Sequence, residues 1–152
     1  MKEINYSEIE RKCKFALIEA GKISKKLKKD IKVNYKSKNQ PVTNADLEIN
    51  NFLKIFLQQL TPDYGWLSEE SIDDKSRLKC ENYWCLDPID GTRSFIYNKP
   101  EYTISLALIN QQTPILGFIY NPCLSLIHIS EPTRRRGISY AVFCLKKKMG
   151  FA

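Results

Sequence analysis

Two carboxylates three residues apart, Asp87 and Asp90, sit in the run Asp87-Pro88-Ile89-Asp90-Gly91-Thr92, directly after the apolar stretch Tyr83-Trp84-Cys85-Leu86. Acids placed where a buried strand breaks into a turn are rigidly held, hard oxygen ligands. They leave room for water and a substrate phosphate, which is the environment Mg2+ needs in phosphoryl transfer. A second acidic pair, Glu69-Glu70, follows the short apolar segment Tyr64-Gly65-Trp66-Leu67-Ser68. Adjacent glutamates on an exposed loop are most often solvated, but two acid clusters at strand ends can converge on one cation. Asp46, in Thr43-Asn44-Ala45-Asp46, is explained by helix capping alone, since an acid in the first turn meets free N–H groups and the positive dipole end. Beside the other acids it also suits a group that orients an attacking water through a hydroxyl. The chemistry these residues indicate is metal-dependent hydrolysis of a phosphate ester.

Other chemistries find little footing. The single histidine, His128, lies in the C-terminal tail, so neither a Ser-His triad nor a histidine-rich metal site can be assembled. Five cysteines (Cys13, Cys80, Cys85, Cys123, Cys144) form no CxxC pair and read as reduced, structural thiols. Carboxylates and hydroxyls must do the work.

The elements that would position them follow from periodicity. Ile9, Cys13, Ala16, Leu17, Ala20, Ile23, Leu27 and Ile31 recur at steps of three and four, an amphipathic helix with a lysine-rich outer face. Lys22, Lys25, Lys26, Lys28 and Lys29 could meet a nucleic acid, but no aromatic or glycine pattern accompanies them, and such a face is ordinarily just solvated. A polar connector, Ser37 to Pro41, leads to a second, largely buried helix from Thr43 to Leu60. Thr61-Pro62-Asp63 is a turn, and Ser71 to Glu81 reads as polar surface. Alternation over Tyr102 to Leu108 predicts a strand, joined to Ile115–Tyr120 through a five-residue loop, Asn110 to Pro114. The fold class expected is α+β, two helices packed on a mainly antiparallel sheet.

The last 29 residues stand apart. From Leu124 the peptides LSLIHISEPTR and ISYAVFCLKKK resemble the conceptual translation of a sequencing-library adapter, so 124–152 is expected to be a non-native tail and 1–123 the folded metal-binding unit. The tail holds six basic residues against Glu131, a net of +5 out of the whole chain's +7, so overall basicity says little about partners. Hydrophobic content of 43% with 27% charged residues is ordinary for one soluble domain. No run approaches the roughly 18 apolar residues of a membrane span, and the start lacks a secretory signal, so a cytoplasmic location is expected.

Thr43-x-x-Asp46, Leu67-Ser68-Glu69-Glu70-Ser71 and Asp87-Pro88-Ile89-Asp90-Gly91-Thr92, in that order and spacing, resemble the inositol monophosphatase superfamily over about Ile9 to Pro122. Tyr64 to Glu70, Asp90 to Ile96 and Tyr102 to Leu108 look most like its bacterial 3'(2'),5'-bisphosphate nucleotidases, which remove a phosphate from adenosine 3',5'-bisphosphate. Inositol monophosphatase and histidinol phosphatase stay open as alternatives. So, from other classes, do an inactive remnant and a nucleic-acid-binding domain.

The resemblance implies the N-terminal half of a layered α/β sandwich. It implies that Glu69, Asp87 and the backbone carbonyl of Ile89 bind one Mg2+ and that Asp87 and Asp90 reach a second. Thr92, paired with Asp46, would place the attacking water, with Glu70 assisting. Backbone N–H groups of Gly91 and Thr92 would hold the substrate phosphate. The partner would be a small phosphorylated molecule, a nucleotide bisphosphate or a sugar or inositol phosphate, with no nucleic acid, and a full-length member would be a homodimer. Members continue well beyond this length into a second α/β region that supplies a further aspartate. Ending as it does, the chain is expected to bind the second Mg2+ weakly, expose apolar sheet surface and turn over little.

Overall fold

In α1, Tyr6–Leu27, the Asn5 side chain caps the first turn by accepting from the Glu8 N–H at 3.2 Å, and Glu8 and Lys25/Lys26 complement the two ends of the helix dipole. Residues 5–130 are described by the computed structural model. The buried stripe of α1 is the one its spacing predicts, Ile9, Cys13, Ala16, Leu17 and Ala20. The helix stops earlier than the pattern suggests, because Lys28–Asp30 tightens into a single 3-10 turn and leaves half-buried Ile31 beyond it. Small residues set how closely α1 lies on the sheet. A Cβ at Gly21 would come within 2.6 Å of the Tyr120 ring.

The expected polar connector is instead an antiparallel hairpin, β1 (Val33–Ser37) with β2 (Gln40–Thr43), Val33 opposite Thr43 and Tyr35 opposite Pro41. Every residue of β1 is exposed, so no apolar alternation advertised it. Next, α2 (Asn44–Leu60) begins with a full capping box: the Thr43 hydroxyl accepts from the Asp46 N–H at 3.3 Å, and Asp46 Oδ2 accepts from the Thr43 N–H at 2.8 Å. It buries one face, Ala45, Ile49, Leu53 and Leu57, while Leu47 and Ile55 are exposed, so the helix is amphipathic rather than largely buried.

The main sheet is built in chain order from β3 (Gly65–Ser68), β4 (Asn82–Asp90), β5 (Thr103–Asn110), β6 (Thr113–Asn121) and β7 (Leu126–Ser130). Only β3 and β4 run parallel, and the crossover between them, 69–81, includes a 3-10 turn, Ser76–Lys79. That segment is not simply polar surface. Arg77 is buried in it, paired with Asp73 at 3.0 Å and stacked 5.2 Å from the Tyr83 ring centroid. Between β5 and β6 the expected five-residue loop contracts to a two-residue turn, Gln111-Gln112, both with positive φ, because Asn110 and Thr113 already pair.

Alternation on β5 sends Ile104, Leu106 and Leu108 to the helix side, where they meet Leu17, Ile49, Leu53, Trp84 and Phe118 in one core. Truncating a fully buried leucine such as Leu106 there would cost about 2–5 kcal/mol. The opposite face carries Leu67, Cys85, Ala107 and Ile109, none more than 6% exposed. These four side chains form a second, smaller buried cluster with half-buried Tyr83.

The stretch 124–130 lies in the tail expected to be non-native, and its Leu126–Ser130 segment pairs antiparallel with β6 while Ile127 and Ile129 pack toward the core. Any β-capable segment following the edge of a sheet can pair this way, so the pairing does not discriminate the segment's origin. Residues 131–152 of that tail lie outside the described residues. Among the described residues no helix is long and apolar enough to cross a membrane.

Candidate active site

Parallel pairing of β3 with β4 brings the two acidic motifs to adjacent strand ends. Ser68 lies opposite Leu86, and the Glu69 N–H donates to the Leu86 carbonyl at 3.3 Å, so Glu69 and Asp87 emerge side by side. A network from α2 fixes the loop that follows: the Ser68 hydroxyl donates to Asn50 Oδ1, the Asn50 amide to Ser71 Oγ at 3.1 Å, and the Trp66 indole to the same oxygen at 3.3 Å.

Asp87 does not open a turn. β4 continues through Asp90, and its ladder with β5 is irregular just there, Asp87 opposite Ser105 and Asp90 opposite Thr103, so three steps on β4 match two on β5. This is a bulge, seated at the one residue, Pro88, that has no N–H to give a ladder. Ile89, 1% exposed, anchors it in the core. Gly91 then turns the chain with φ +91°, and any Cβ there would stand 2.7 Å from the Glu101 carbonyl oxygen. The turn feeds the five-residue helix α3, Thr92–Ile96, pinned by buried Phe95.

Asp46, Ile89 and Thr92 meet directly. The Thr92 hydroxyl lies 3.3 Å from Asp46 Oδ1 and 3.2 Å from the Ile89 carbonyl oxygen. Its one proton can serve either. Asp46 is 1% exposed, and burial holds its carboxyl above the usual range, with the Asp87 charge adding to the effect and the Thr43 and Thr92 bonds opposing it. Burial likewise raises Glu70, opposed by its ion pair with Lys36 and reinforced by the charges of Asp46 and Asp87.

Two contributors escaped the sequence reading. Lys36, on the exposed β1, bonds the Glu70 carboxylate and donates to the Glu69 carbonyl at 3.3 Å. Arg93 of α3 donates to the Asn39 carbonyl at the hairpin tip, 2.9 Å away. The hairpin is thus tied to both acidic motifs, a relation no local pattern encodes.

The donor set, the Glu69, Asp87 and Asp90 carboxylates with the Ile89 carbonyl, is of the right kind for Mg2+, which takes hard oxygen ligands. Its spacing is looser. Among the described residues no group of three His, Cys, Asp or Glu side chains is gathered closely enough to hold one ion. A shallow groove of about 620 Å3 lined by Arg11, Lys12, Phe15, Phe56, Gln59 and Leu60 shares no residue with this site.

The architecture is a two-helix layer on a mainly antiparallel sheet, with acidic residues at the ends of β3 and β4. The inositol monophosphatase family matches residues 5–138, and the chain belongs to it. Among curated proteins it is similar to the 3'(2'),5'-bisphosphate nucleotidase CysQ of Escherichia coli (strain K12), 39% identical over 101 residues, which is 66% of this chain and 41% of that one. The CysQ nucleotidase of Buchnera aphidicola is 37% identical over 101 residues, 66% of this chain and 38% of its own. The chain therefore spans less than half the length of these relatives.

Among solved structures, the extragenic suppressor protein suhB from Bartonella henselae superposes with a TM-score of 0.75 at 25% identity, covering 84% of this chain and 50% of that one. Staphylococcal inositol monophosphatase-1 gives 0.79 at 21% identity, over 86% and 50%. An IMPase/NADP phosphatase complexed with Mg2+ and phosphate gives 0.76 at 22% identity, over 83% and 48%.

Proposed function

We propose that this chain is the metal-binding half of a Mg2+-dependent phosphomonoester hydrolase, a 3'(2'),5'-bisphosphate nucleotidase that removes phosphate from adenosine 3',5'-bisphosphate. The observation that carries the reading is the contact of Thr92 with both Asp46 and the Ile89 carbonyl, beside acids at the ends of two parallel strands. Similarity to CysQ nucleotidases supports the substrate, and a fold neighbour whose structure holds Mg2+ and phosphate supports the metal.

In this reading Glu69, Asp87 and the Ile89 carbonyl would hold one Mg2+, and Asp87 with Asp90 a second. Two such ions supply polarisation of the phosphoryl oxygens and a water acidic enough to attack at neutral pH. The chain's own residues do the rest. Asp46, fixed by two bonds from Thr43, accepts from Thr92 and so points the hydroxyl's lone pairs outward to receive a water proton. Backbone N–H groups of Gly91 and Thr92 receive the phosphate. Lys36 balances Glu70 and keeps it in place on the loop. Residues 124–152 are read as a non-native tail that takes no part in the site.

Calorimetric titration of the chain with Mg2+, followed by phosphate release from adenosine 3',5'-bisphosphate and from inositol 1-phosphate, tests this. Binding abolished by Asp87→Asn, with slow release favouring the nucleotide, is the expected result. Mg2+ binding unaffected by Asp87→Asn would remove the basis of the reading.

A further inference from the structure

Away from the acids, the end of α1 and the end of β6 bring an amine and a thiol together. Lys28 Nζ stands 3.9 Å from Cys123 Sγ and lies over two aromatic rings, 5.0 Å from the Tyr102 centroid and 5.7 Å from that of Phe95. Tyr102 is 1% exposed. Its hydroxyl is 2.9 Å from Ser24 Oγ. Asn121 Oδ1 accepts from the Cys123 N–H at 2.9 Å and from the Leu124 N–H at 3.1 Å, which orders the turn carrying the sulfur. The amine is thus held over the rings and the thiol is held beside it.

The other described thiols differ in kind. Burial pushes Cys13 and Cys85 up to about 12, far from the thiolate that reacts. Cys80 is half-buried and donates to the Ser76 carbonyl at 3.8 Å. Cys123 is the exposed one, and it has a cation beside it. Its exposure makes it the described thiol that oxidants reach first, and the amine stands within reach of the oxidised sulfur.

We propose that Lys28 and Cys123 form a redox-modification site, in which a hydroperoxide oxidises the thiol and the lysine amine captures it as a reversible sulfur–nitrogen bond. In the first step the thiolate attacks hydrogen peroxide. An S–O bond forms, the O–O bond breaks, sulfur is oxidised by two electrons and the peroxide is reduced to water, leaving a sulfenic acid. In the second, the unprotonated Lys28 amine attacks Sγ, an S–N bond forms, the S–O bond breaks and the hydroxyl leaves as water with a proton from nitrogen. Thiol, amine and peroxide become a sulfenamide and two waters. Two equivalents of an added thiol reverse it, giving back Cys123, Lys28 and a small-molecule disulfide. The linkage ties the end of α1 to the end of β6 beside Phe95, the anchor of α3.

The test is intact-mass and peptide mapping of the whole chain in a Cys144→Ser background, before and after limiting hydrogen peroxide, with dimedone present to trap sulfenic acid. The link predicts a mass lower by two hydrogens, loss of tryptic cleavage after Lys28, and restoration by dithiothreitol. Lys28→Arg keeps the cation but lacks a nucleophilic amine, so Cys123 should there carry the dimedone adduct and no link. Cys123→Ser should give neither. Equal dimedone labelling of Cys123 with and without Lys28, or oxidation of Cys80 ahead of Cys123, would overturn the proposal.

Discussion

Asp46 combines two jobs, capping α2 and accepting from Thr92, and a pair of substitutions separates its hydrogen bonds from its charge. In Asp46→Ala the buried Thr43 N–H loses its partner at 2.8 Å, while Thr92 can still donate to the Ile89 carbonyl at 3.2 Å. Loss of the capping box costs about 1 kcal/mol and the stranded amide about 1–3 kcal/mol. Removing a buried carboxylate, whose charge burial and Asp87 disfavour, offsets part of this and leaves a net destabilisation of about 1–3 kcal/mol. Asp46→Asn keeps an acceptor for Thr43 and drops the charge, so it should fall within about 1 kcal/mol of the parent. Urea denaturation at neutral pH without added metal, followed by fluorescence of the buried Trp84 and half-buried Trp66, measures both. An asparagine variant as destabilised as the alanine variant would show that the charge, not the bonding, holds this corner, and the argument would fail.

Gly91→Ala should destabilise by at least about 2 kcal/mol in the same assay, since a positive φ is combined with a backbone clash. Lys36→Met leaves Glu70, whose side chain is 4% exposed, without its cation, a loss of about 1–3 kcal/mol. Glu70 would then hold its proton to still higher pH in the folded state. The penalty should therefore be small below the carboxyl's unfolded pKa and grow as pH rises toward neutrality, which denaturation at acid and neutral pH reads directly. Cys85, at about 12 folded against 9.0 unfolded, binds its proton more tightly in the folded chain, so stability falls as pH rises through that window. At one unit above the unfolded value the loss is about 1.5 kcal/mol, and Cys85→Ala should flatten that part of the curve. Thr92→Val should leave Mg2+ binding near that of the parent and abolish whatever phosphate release the chain shows, checked by calorimetry and a phosphate assay.

What could be read from the residues was what is locally encoded. The stripe from Ile9 to Ala20 and the Thr43-x-x-Asp46 cap follow from one-turn spacings, and both stand as read. Alternation on β5 gave its two faces, and the inositol monophosphatase resemblance carried by the acidic blocks is matched across residues 5–138. What could not be read depends on distant partners. β1 is exposed throughout and its turn, Lys38-Asn39, contains no glycine, so nothing marked a hairpin. Lys36 meets Glu70 across 34 positions, and Arg77 is buried through tertiary pairing with Asp73 and Tyr83. The glutamine turn between β5 and β6 lacks an Asn-Gly signal, so nothing local marks its length of two residues.

The bulge in β4 settles a question of parity. Residues an odd number of steps apart in a regular strand look to opposite sides of a sheet, so Asp87 and Asp90 would be divided by the sheet itself. Their partners Ser105 and Thr103 are two steps apart and share a side, which means the miscounted residue has brought both acids round to one face. Drawing the bulge out into a regular ladder, with residues 87 to 90 each paired in turn, would put the two carboxylates on opposite faces and deny them any common neighbour.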